Sequence, residues 1–268
     1  GIARSFLKIA TATGSVKKVR FRHKAVRAQS VQRALRRKEL RRFTASPNYM
    51  LNCGLGIVML PAAGIALLIK GRALAQLLDD AFGAGADIVP VLLSAALCLL
   101  ASMNDMAAPS VSLEGRQLWL AQSLPVTPWQ VLRAKLAVHL WVGEIPALLC
   151  GVAVAAALRL PLPTAVMTVI LPLLFTLLQA CFGLFVNLLH PNLTWVSEMT
   201  PIKQSLGVLF SLLGGWGYAA LLGVGGYFLT VPVPAWAALL ALNLLTALLS
   251  LLLLRWLKGR GARIFATL

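Results

Sequence analysis

The residues of this 268-residue chain that could do chemistry are few and scattered. It contains eight Asp and Glu residues, three His residues and four Cys residues, and each cysteine (Cys53, Cys98, Cys150, Cys181) lies alone in an apolar run. That spacing is typical of buried thiols, not of a zinc site or a disulfide framework. The sequence has no phosphate-binding loop, no HExxH motif and no evident Ser-His-Asp grouping. We therefore predict no catalytic residues, metal or cofactor in this chain.

The segment 111–135, VSLEGRQLWLAQSLPVTPWQVLRAK, is the most informative polar stretch. Residues 111–124 predict a short helix with a narrow apolar stripe, and Trp119 suits the headgroup level of a membrane. Leu124-Pro125 ends that helix, and Thr127-Pro128 begins another with a hydroxyl cap followed by proline. The short helix can press into a partner protein, or it can lie at the membrane surface, and the residues alone favour neither interpretation.

A second polar segment, 190–205 (HPNLTWVSEMTPIKQS), has the same character. It predicts a broken backbone that carries Trp195, Glu198 and Lys203, followed by a helix that Thr200 caps before Pro201. A solvated pair of Glu198 and Lys203 is a more common role for such residues than a binding site.

Polar residues also fall inside the apolar runs. A carboxylate such as Glu144 is costly in lipid and marks a functional-site hypothesis, although it can also face the bundle interior, protonated or hydrogen-bonded. Asn187 predicts an interhelical hydrogen bond. We expect His139 at an interface, and Asn104 and Asp105 at the inner surface, where water hydrates them.

A stripe of small residues repeats every four positions, at Ser211, Gly215, Ala219 and Gly223. Such a stripe lets two helix backbones approach closely in lipid. Close helix packing is the favoured interpretation, and a surface that slides during transport is the alternative.

The elements that position these residues are predicted to be membrane-spanning helices. The chain is 59% hydrophobic and 12% charged, and a span needs about 20 mostly apolar residues. We count six spans, at 48–69, 88–107, 136–158, 163–188, 205–229 and 234–256. The predicted fold is an all-α polytopic bundle with short cytoplasmic interfacial helices. It divides into a basic cytoplasmic arm and elbow (1–46), the six-span domain (47–258) and a cytoplasmic tail (259–268).

The charge distribution predicts the orientation of the bundle. Fourteen of the 25 Lys and Arg residues lie in the first 42 positions, with Glu39 as the single acid there. Each of these cations would cost about 2.5–3.5 kcal/mol at the centre of a membrane helix, and positive loops stay inside. We therefore expect both termini in the cytoplasm and an arm that binds anionic inner-leaflet lipid. No nucleic acid is expected, because aromatic residues are not interleaved with the basic run.

Three strings carry a resemblance to a known family: LRRKELRRFTASPNYMLNCGLG (35–56), LEGRQLWLAQSLPVTPWQVLRAKL (113–136) and NLTWVSEMTPIKQSLGVLFSLL (192–213). They resemble permeases of the ABC-2 type, and more narrowly bacterial putative ABC exporter membrane subunits, from about residue 15 to the end. The resemblance implies a multi-pass protein of the bacterial plasma membrane. It also implies that this chain, which starts at Gly1, is the C-terminal half of a longer permease or pairs with a second copy.

The resemblance further implies a separate ATPase subunit that binds ATP and magnesium and docks on the inner loops. The expected docking residues are Glu114, Gly115, Arg116, Trp119, Ser123, Leu124 and Pro125, with Trp195, Glu198 and Lys203 in a second inner loop. The expected function is ATP-driven export without enzymatic activity in this chain. The alternatives are a membrane anchor or regulatory scaffold, an intramembrane enzyme that uses Glu144, and a nucleic-acid-binding arm.

Overall fold

The structure is a computed structural model that describes residues 29–82 and 88–268. The first part of the predicted basic arm, residues 1–28, lies outside the described residues. Residues Val31–Leu268 form one compact unit. In the described part of the chain every regular element is a helix, and the elements run in the order α1 (Val31–Ala45), α2 (Pro47–Cys53), α3 (Gly56–Phe82), α4 (Ile88–Ala101), a 3-10 helix (Ser112–Gln117), α5 (Leu118–Ser123), α6 (Pro128–Ala157), α7 (Leu162–Leu189), α8 (Met199–Lys203), α9 (Leu206–Thr230), α10 (Ala235–Trp256), a π-helical turn (Leu257–Gly261) and α11 (Ala262–Thr267).

Long apolar helices dominate this order, which confirms the predicted all-α fold among the described residues. Among the described residues, five helical stretches are long and apolar enough to cross a membrane: Gly56–Leu77, Pro128–Ala157, Leu162–Leu189, Met199–Thr230 and Ala235–Thr267. The predicted spans at 163–188, 205–229 and 234–256 agree with α7, α9 and α10 to within one or two residues at each end.

The first predicted span, 48–69, is displaced along the chain. α2 stops at Cys53, and the spanning helix α3 begins only at Gly56. Next to the break, a Cβ on Gly56 would lie 2.7 Å from the side-chain nitrogen of Asn104, so the start of α3 packs tightly against Asn104. The span therefore lies about eight residues later than hydropathy alone indicates.

The second predicted span, 88–107, is shorter than expected. α4 ends at Ala101 after 14 residues, about 21 Å of helix, whereas the hydrocarbon core is about 30 Å thick. The chain then leaves the helical path, and Asp105 donates its backbone N–H to the carbonyl oxygen of Cys53 (3.0 Å). A sixth full-length spanning helix is therefore not present in the described residues.

The chain has three Ser-Pro or Thr-Pro pairs, at Ser46, Thr127 and Thr200, and at two of them the hydroxyl caps a helix. Ser46 Oγ accepts the backbone N–H of Tyr49, and Thr127 forms a reciprocal capping box with Gln130. The prediction for Thr200 is wrong, because α8 begins at Met199 without a side-chain cap. Ser205 caps α9 instead, by accepting the N–H of Val208.

The polar segments gather at one end of the bundle, which we call the basic end. There residues 31–47, 102–127, 190–205 and 257–268 contact one another, for example through the hydrogen bond from Gln122 Nε2 to the carbonyl oxygen of Phe265 (2.9 Å). An apolar core around Leu132, Leu184 and Leu257 lies under these segments. A second core around Leu97 and Phe175 fills the middle of the bundle.

Candidate functional site

The non-helical stretch between α4 and the 3-10 helix is the centre of the site, and we call residues 102–111 the inserted segment. It is buried along nearly its whole length and is held from several sides. Asn104 pairs with Gly54 in an isolated bridge, and the N–H of Ala107 donates to Nδ1 of His139 (3.2 Å). Irregular backbone of this kind persists inside a membrane protein where it is buried in protein or lines a cavity.

Asp105 is the charged residue of this segment. It is 4% exposed, and its Oδ1 accepts hydrogen bonds from Ser211 Oγ (2.9 Å) and Gln179 Nε2 (3.5 Å). Its second oxygen, Oδ2, has no hydrogen-bond partner among the described residues. No Lys, Arg or His of that part of the chain lies within ion-pair distance of Asp105. The carboxyl group is thus buried, with hydrogen bonds to one oxygen and none to the other among the described residues.

Asn104, next to Asp105 in the chain, and His139, which contacts Ala107, also have buried polar atoms without partners among the described residues. Both side-chain polar atoms of Asn104 and Nε2 of His139 are buried without partners in the described part of the structure. Because His139 Nδ1 accepts a backbone N–H, the ring is neutral and carries its proton on Nε2. The expectation that Asn104 and Asp105 lie hydrated at the surface is wrong. We call Asn104, Asp105 and His139 the polar chamber.

Two cavities flank this chamber. One of about 150 Å³ is lined by Asp105 together with residues of α2, the inserted segment and α9. The other, of about 380 Å³, is almost wholly apolar and lies among α7, α9 and α10, with Phe182 and Tyr218 in its wall. Gln179 lines the second cavity and also donates to Ser211 Oγ (3.2 Å), so it lies between the second cavity and the chamber.

A second set of polar side chains at the basic end consists only of acidic and basic residues. We call it the ion cluster: Lys38, Glu39, Arg42, Glu114 and Lys135. Lys135 Nζ lies 2.8 Å from Glu114 Oε1 and 3.1 Å from Glu39 Oε1, and it donates to the carbonyl oxygen of Ser110 (2.8 Å). Lys38 Nζ and Arg42 Nη2 approach Glu114 at 2.9 and 2.7 Å. The cluster thereby ties α1 to α6 and to the 3-10 helix.

The electrostatics of the ion cluster follow from this geometry. Burial alone would raise the pKa of the Glu114 carboxyl, but Lys135, Arg42 and Lys38 together lower that pKa well below its usual range. Burial alone would lower the pKa of Arg42, and its hydrogen bond to Glu114 and the charge of Glu39 raise that pKa above its usual value. Both groups are therefore charged at every physiological pH.

The position of Glu114 corrects the sequence prediction. Its side chain is 3% exposed and engaged by three cations, so it is unavailable to a partner that docks from outside. Gly115 is also buried, with a left-handed φ of 54°, and a Cβ there would lie 3.1 Å from the Trp195 ring. Glu114 and Gly115 anchor the segment and do not contribute to its outer surface.

The rest of the predicted docking set does lie outside. Arg116, Ser123 and Pro125 are exposed, and Trp119 and Leu124 are 62% and 45% exposed. The predicted short helix over 111–124 is thus a 3-10 turn followed by α5, with the break at Gly115. Its inner end is anchored and its outer face is exposed.

Trp195 attaches the second inner segment, residues 190–205, to the first at Ser112. Trp195 donates its indole N–H to the carbonyl oxygen of Ser112 (2.7 Å). Glu198 is exposed and accepts a hydrogen bond from Ser46 Oγ (3.1 Å). Lys203 is exposed, and no ion pair joins it to Glu198 in the part of the chain that the structure describes.

The two intramembrane polar residues differ sharply. Asn187 is fully buried, and its Oδ1 accepts the N–H groups of Val111 (2.8 Å) and Ser112 (3.1 Å). It therefore fixes the end of the inserted segment and does not join two spanning helices. Glu144 is half-buried on α6, and no described residue donates a hydrogen bond to it.

The small-residue stripe on α9 faces two helices. Ser211 and Ala219 are buried, and a Cβ on Gly215 would lie 2.5 Å from Gln179 Oε1 of α7. A Cβ on Gly223 would lie 3.5 Å from the Cβ of Ala95 of α4, which is an ordinary contact distance. The stripe therefore lies against α7 at its start and against α4 further along.

Sequence reasoning missed Lys135, Glu39, Asp105 and His139 as parts of buried polar groups. One signal was present: Glu39 stands alone among fourteen cations, and Lys135 lies at the start of an apolar run, so each needs a partner. Their pairing joins residues 96 positions apart, which local patterns do not show.

No protein-family model, no curated protein and no solved structure matches this chain. A functional assignment therefore rests on the chain's own residues and their geometry.

Proposed function

We propose that this chain is the membrane-spanning part, or half, of an ATP-driven exporter of the ABC-2 type. In this proposal it lies in a bacterial plasma membrane, with six spans counting the short α4 and with both termini in the cytoplasm. A separate ATPase subunit supplies ATP hydrolysis. A missing N-terminal half or a second copy of the chain completes the pathway.

One observation carries the proposal: α5 is an exposed helix, and the segment before it is held by buried contacts to other helices. Its outer face presents Trp119 and Leu124. Its inner end is tied to α1 and α6 through Glu114 and to α7 through Asn187. A force applied to α5 by an ATPase is therefore passed on to three other helices.

The inserted segment is the part of the chain that such a movement would rearrange. Unpaired buried polar atoms are costly, and a second arrangement in which water reaches them would remove that cost. Conformational coupling needs two states with different contacts. We infer that ATPase closure tilts α6 and α7 and opens the route between the 150 Å³ and 380 Å³ cavities at Gln179.

The test is a reconstituted complex with a candidate ATPase, measured by ATP hydrolysis. We expect the full chain to raise the ATPase rate, and Trp119→Ala to remove most of that stimulation while the protein still inserts. Trp236→Ala is the matched control, because Trp236 is 46% exposed and begins α10, far along the chain from α5. A chain that binds no ATPase, or a Trp119→Ala variant with normal stimulation, would favour the membrane scaffold instead.

A further inference from the structure

We propose that Asp105 is a binding site for one monovalent cation, a proton or Na⁺, which enters through the 150 Å³ cavity. This site is independent of the transport assignment, since it stands on the geometry of the carboxyl group alone.

The charge around Asp105 is unbalanced. The residue is 4% exposed, and no cation of the described residues lies within 4 Å of it. An ionised carboxylate in such a place costs several kcal/mol unless it is paired. The nearby ion cluster shows that this chain pairs its other buried charges, because each carboxylate there has at least two cations. Asp105 therefore lacks one positive charge.

One oxygen of the carboxyl group remains without a partner in the described residues. Ser211 and Gln179 both donate to Oδ1, which leaves Oδ2 without a partner among the described residues. Asp105 lines the 150 Å³ cavity together with Asn52, Cys53 and Trp216. The cavity reaches the exposed Asn52 and Leu55, at the end of α2 and in the break after it, and in this proposal the ion enters there.

The ligand set favours a single charge. Asn52 uses its side-chain nitrogen on the carbonyl oxygen of Asn48 (2.8 Å), and its own Oδ1 is free of donors from the described part of the chain. The cavity thus offers one carboxylate, one amide oxygen and room for water. Divalent ions such as Ca²⁺ take six to eight oxygen ligands, usually with several carboxylates. One carboxylate balances one monovalent cation.

The titratable groups near Asp105 are uncharged at neutral pH, so they do not bind a cation in its place. From α2 the titratable neighbours are Tyr49 and Cys53, both buried and uncharged at neutral pH. On α6, His139 contacts the inserted segment at Ala107 and is neutral, because its Nδ1 accepts the Ala107 N–H. From α7 and α9 the facing residues, Gln179 and Ser211, do not titrate. A response to pH or Na⁺ in this region therefore belongs to Asp105.

The experiment measures the thermal unfolding midpoint, Tm, of the full 268-residue chain in lipid nanodiscs. NaCl is compared with choline chloride at constant ionic strength and pH, and pH is then varied in choline alone. If Na⁺ is the ligand, Tm rises by about 2–4 °C at about five times its Kd. If the proton is the ligand, Tm does not respond to Na⁺ and rises as the pH falls, because the buried carboxylate holds a proton more tightly than the unfolded chain does.

Asp105→Asn removes the charge at nearly constant shape, and we expect it to abolish whichever response the wild type shows. Glu198→Gln is the matched control, since Glu198 is exposed, and it should keep the response. The proposal is overturned if Asp105→Asn responds to Na⁺ and pH as the wild type does, or if the wild type responds to neither.

Ser211→Ala provides a second variant in case Asp105→Asn does not fold. It keeps the carboxylate and removes one donor that stabilises its negative charge. The midpoint of the response should move to a lower Na⁺ concentration, or to a higher pH if the ligand is a proton. An unchanged midpoint would show that the carboxylate is not the binding group.

Discussion

The ion cluster and the polar chamber are two buried polar groups at opposite ends of one ten-residue segment, and they are built in opposite ways. In the ion cluster every carboxylate faces at least two cations within 4 Å. In the polar chamber Asn104, Asp105 and His139 leave four side-chain atoms without partners among the described residues. Among the buried side-chain atoms of the ion cluster, Arg42 Nη1 alone lacks a hydrogen-bond partner in the described structure, and it lies 3.7 Å from Glu39 Oε2. A nearly satisfied network fixes one arrangement, whereas an unsatisfied one costs stability, as is common at functional sites. The first group is therefore suited to anchoring, and the second is where we propose movement or binding.

The largest effect should come from breaking the ion cluster. Glu114→Gln leaves Lys135, whose side chain is 0% exposed, with Glu39 as its remaining anionic partner among the described residues. Removing one member of a buried ion pair costs about 3–5 kcal/mol, and we expect that loss in the free energy of unfolding, measured by chemical denaturation in detergent micelles. Glu198→Gln, at an exposed carboxylate, should change it by less than about 0.5 kcal/mol. Equal effects of the two variants would remove the distinction between anchored and exposed acids.

The stability that Glu114 contributes to the folded protein should be lost at low pH. Because the three cations lower the pKa of Glu114 in the folded protein, the unfolded chain binds the proton first, below about pH 4.3. The stability that Glu114 contributes is therefore present above that pH and is lost as the pH falls further. The difference in Tm between wild type and Glu114→Gln should be constant from neutral pH down to about 4.3 and then narrow. Narrowing close to neutral pH would contradict the arrangement.

Asn187 holds the end of the inserted segment, and its loss should cost somewhat less. Asn187→Leu leaves the buried N–H groups of Val111 and Ser112 without their acceptor, and an unsatisfied buried donor costs about 1–3 kcal/mol. Asn243→Leu is the matched control, because Asn243 makes an ordinary interhelical bond to the carbonyl oxygen of Met167 (3.0 Å), worth about 0.6 kcal/mol. Hydrogen exchange at Val111 and Ser112 should accelerate in the first variant and stay unchanged in the second.

The spanning helices and the breaks between them differ in how far the sequence predicts them. The helices α7, α9 and α10 are predictable because length and hydropathy are local quantities, and so are the caps at Ser46 and Thr127, because a hydroxyl before proline acts over one turn. The breaks at residues 54–55 and 102–111 are not predictable in this way. The two breaks contact each other through the bridge between Gly54 and Asn104, which joins residues far apart in the sequence.

The candidate site was predictable only on its outer face. Trp119, expected at the headgroup level, and Leu124, named through the family resemblance, are both exposed. Glu114 belongs to the same polar stretch, where a charged residue is expected at the surface, but it is buried. Its burial depends on Lys38, 76 residues away, and Lys135, 21 residues away. Partners at such distances are fixed by the packing of α1 against α6, which no local pattern in the sequence describes.

Two glycines of the α9 stripe should give effects of opposite sign, and Gly223→Ala should give the smallest effect of all. Gly223→Ala adds a Cβ 3.5 Å from Ala95, an ordinary contact, so the variant should gain about 0.5–1 kcal/mol of stability from the better helix propensity of alanine. Gly215→Ala adds a Cβ 2.5 Å from Gln179 Oε1 and must displace the side chain that lies between the 380 Å³ cavity and the polar chamber. Overpacking of this kind costs about 1–3 kcal/mol.

Displacing Gln179 also lengthens its bond to Asp105 Oδ1, so Gly215→Ala should shift the cation response of Asp105 as well as lower Tm. Gly223→Ala should leave that response unchanged, because its new methyl group contacts only α4 among the described helices. Denaturation curves and the Na⁺ and pH series on the two variants check both statements. If both glycines behave alike, α9 has one uniform packing face; if they diverge as expected, the start of α9 belongs to the polar chamber and the rest to the apolar core.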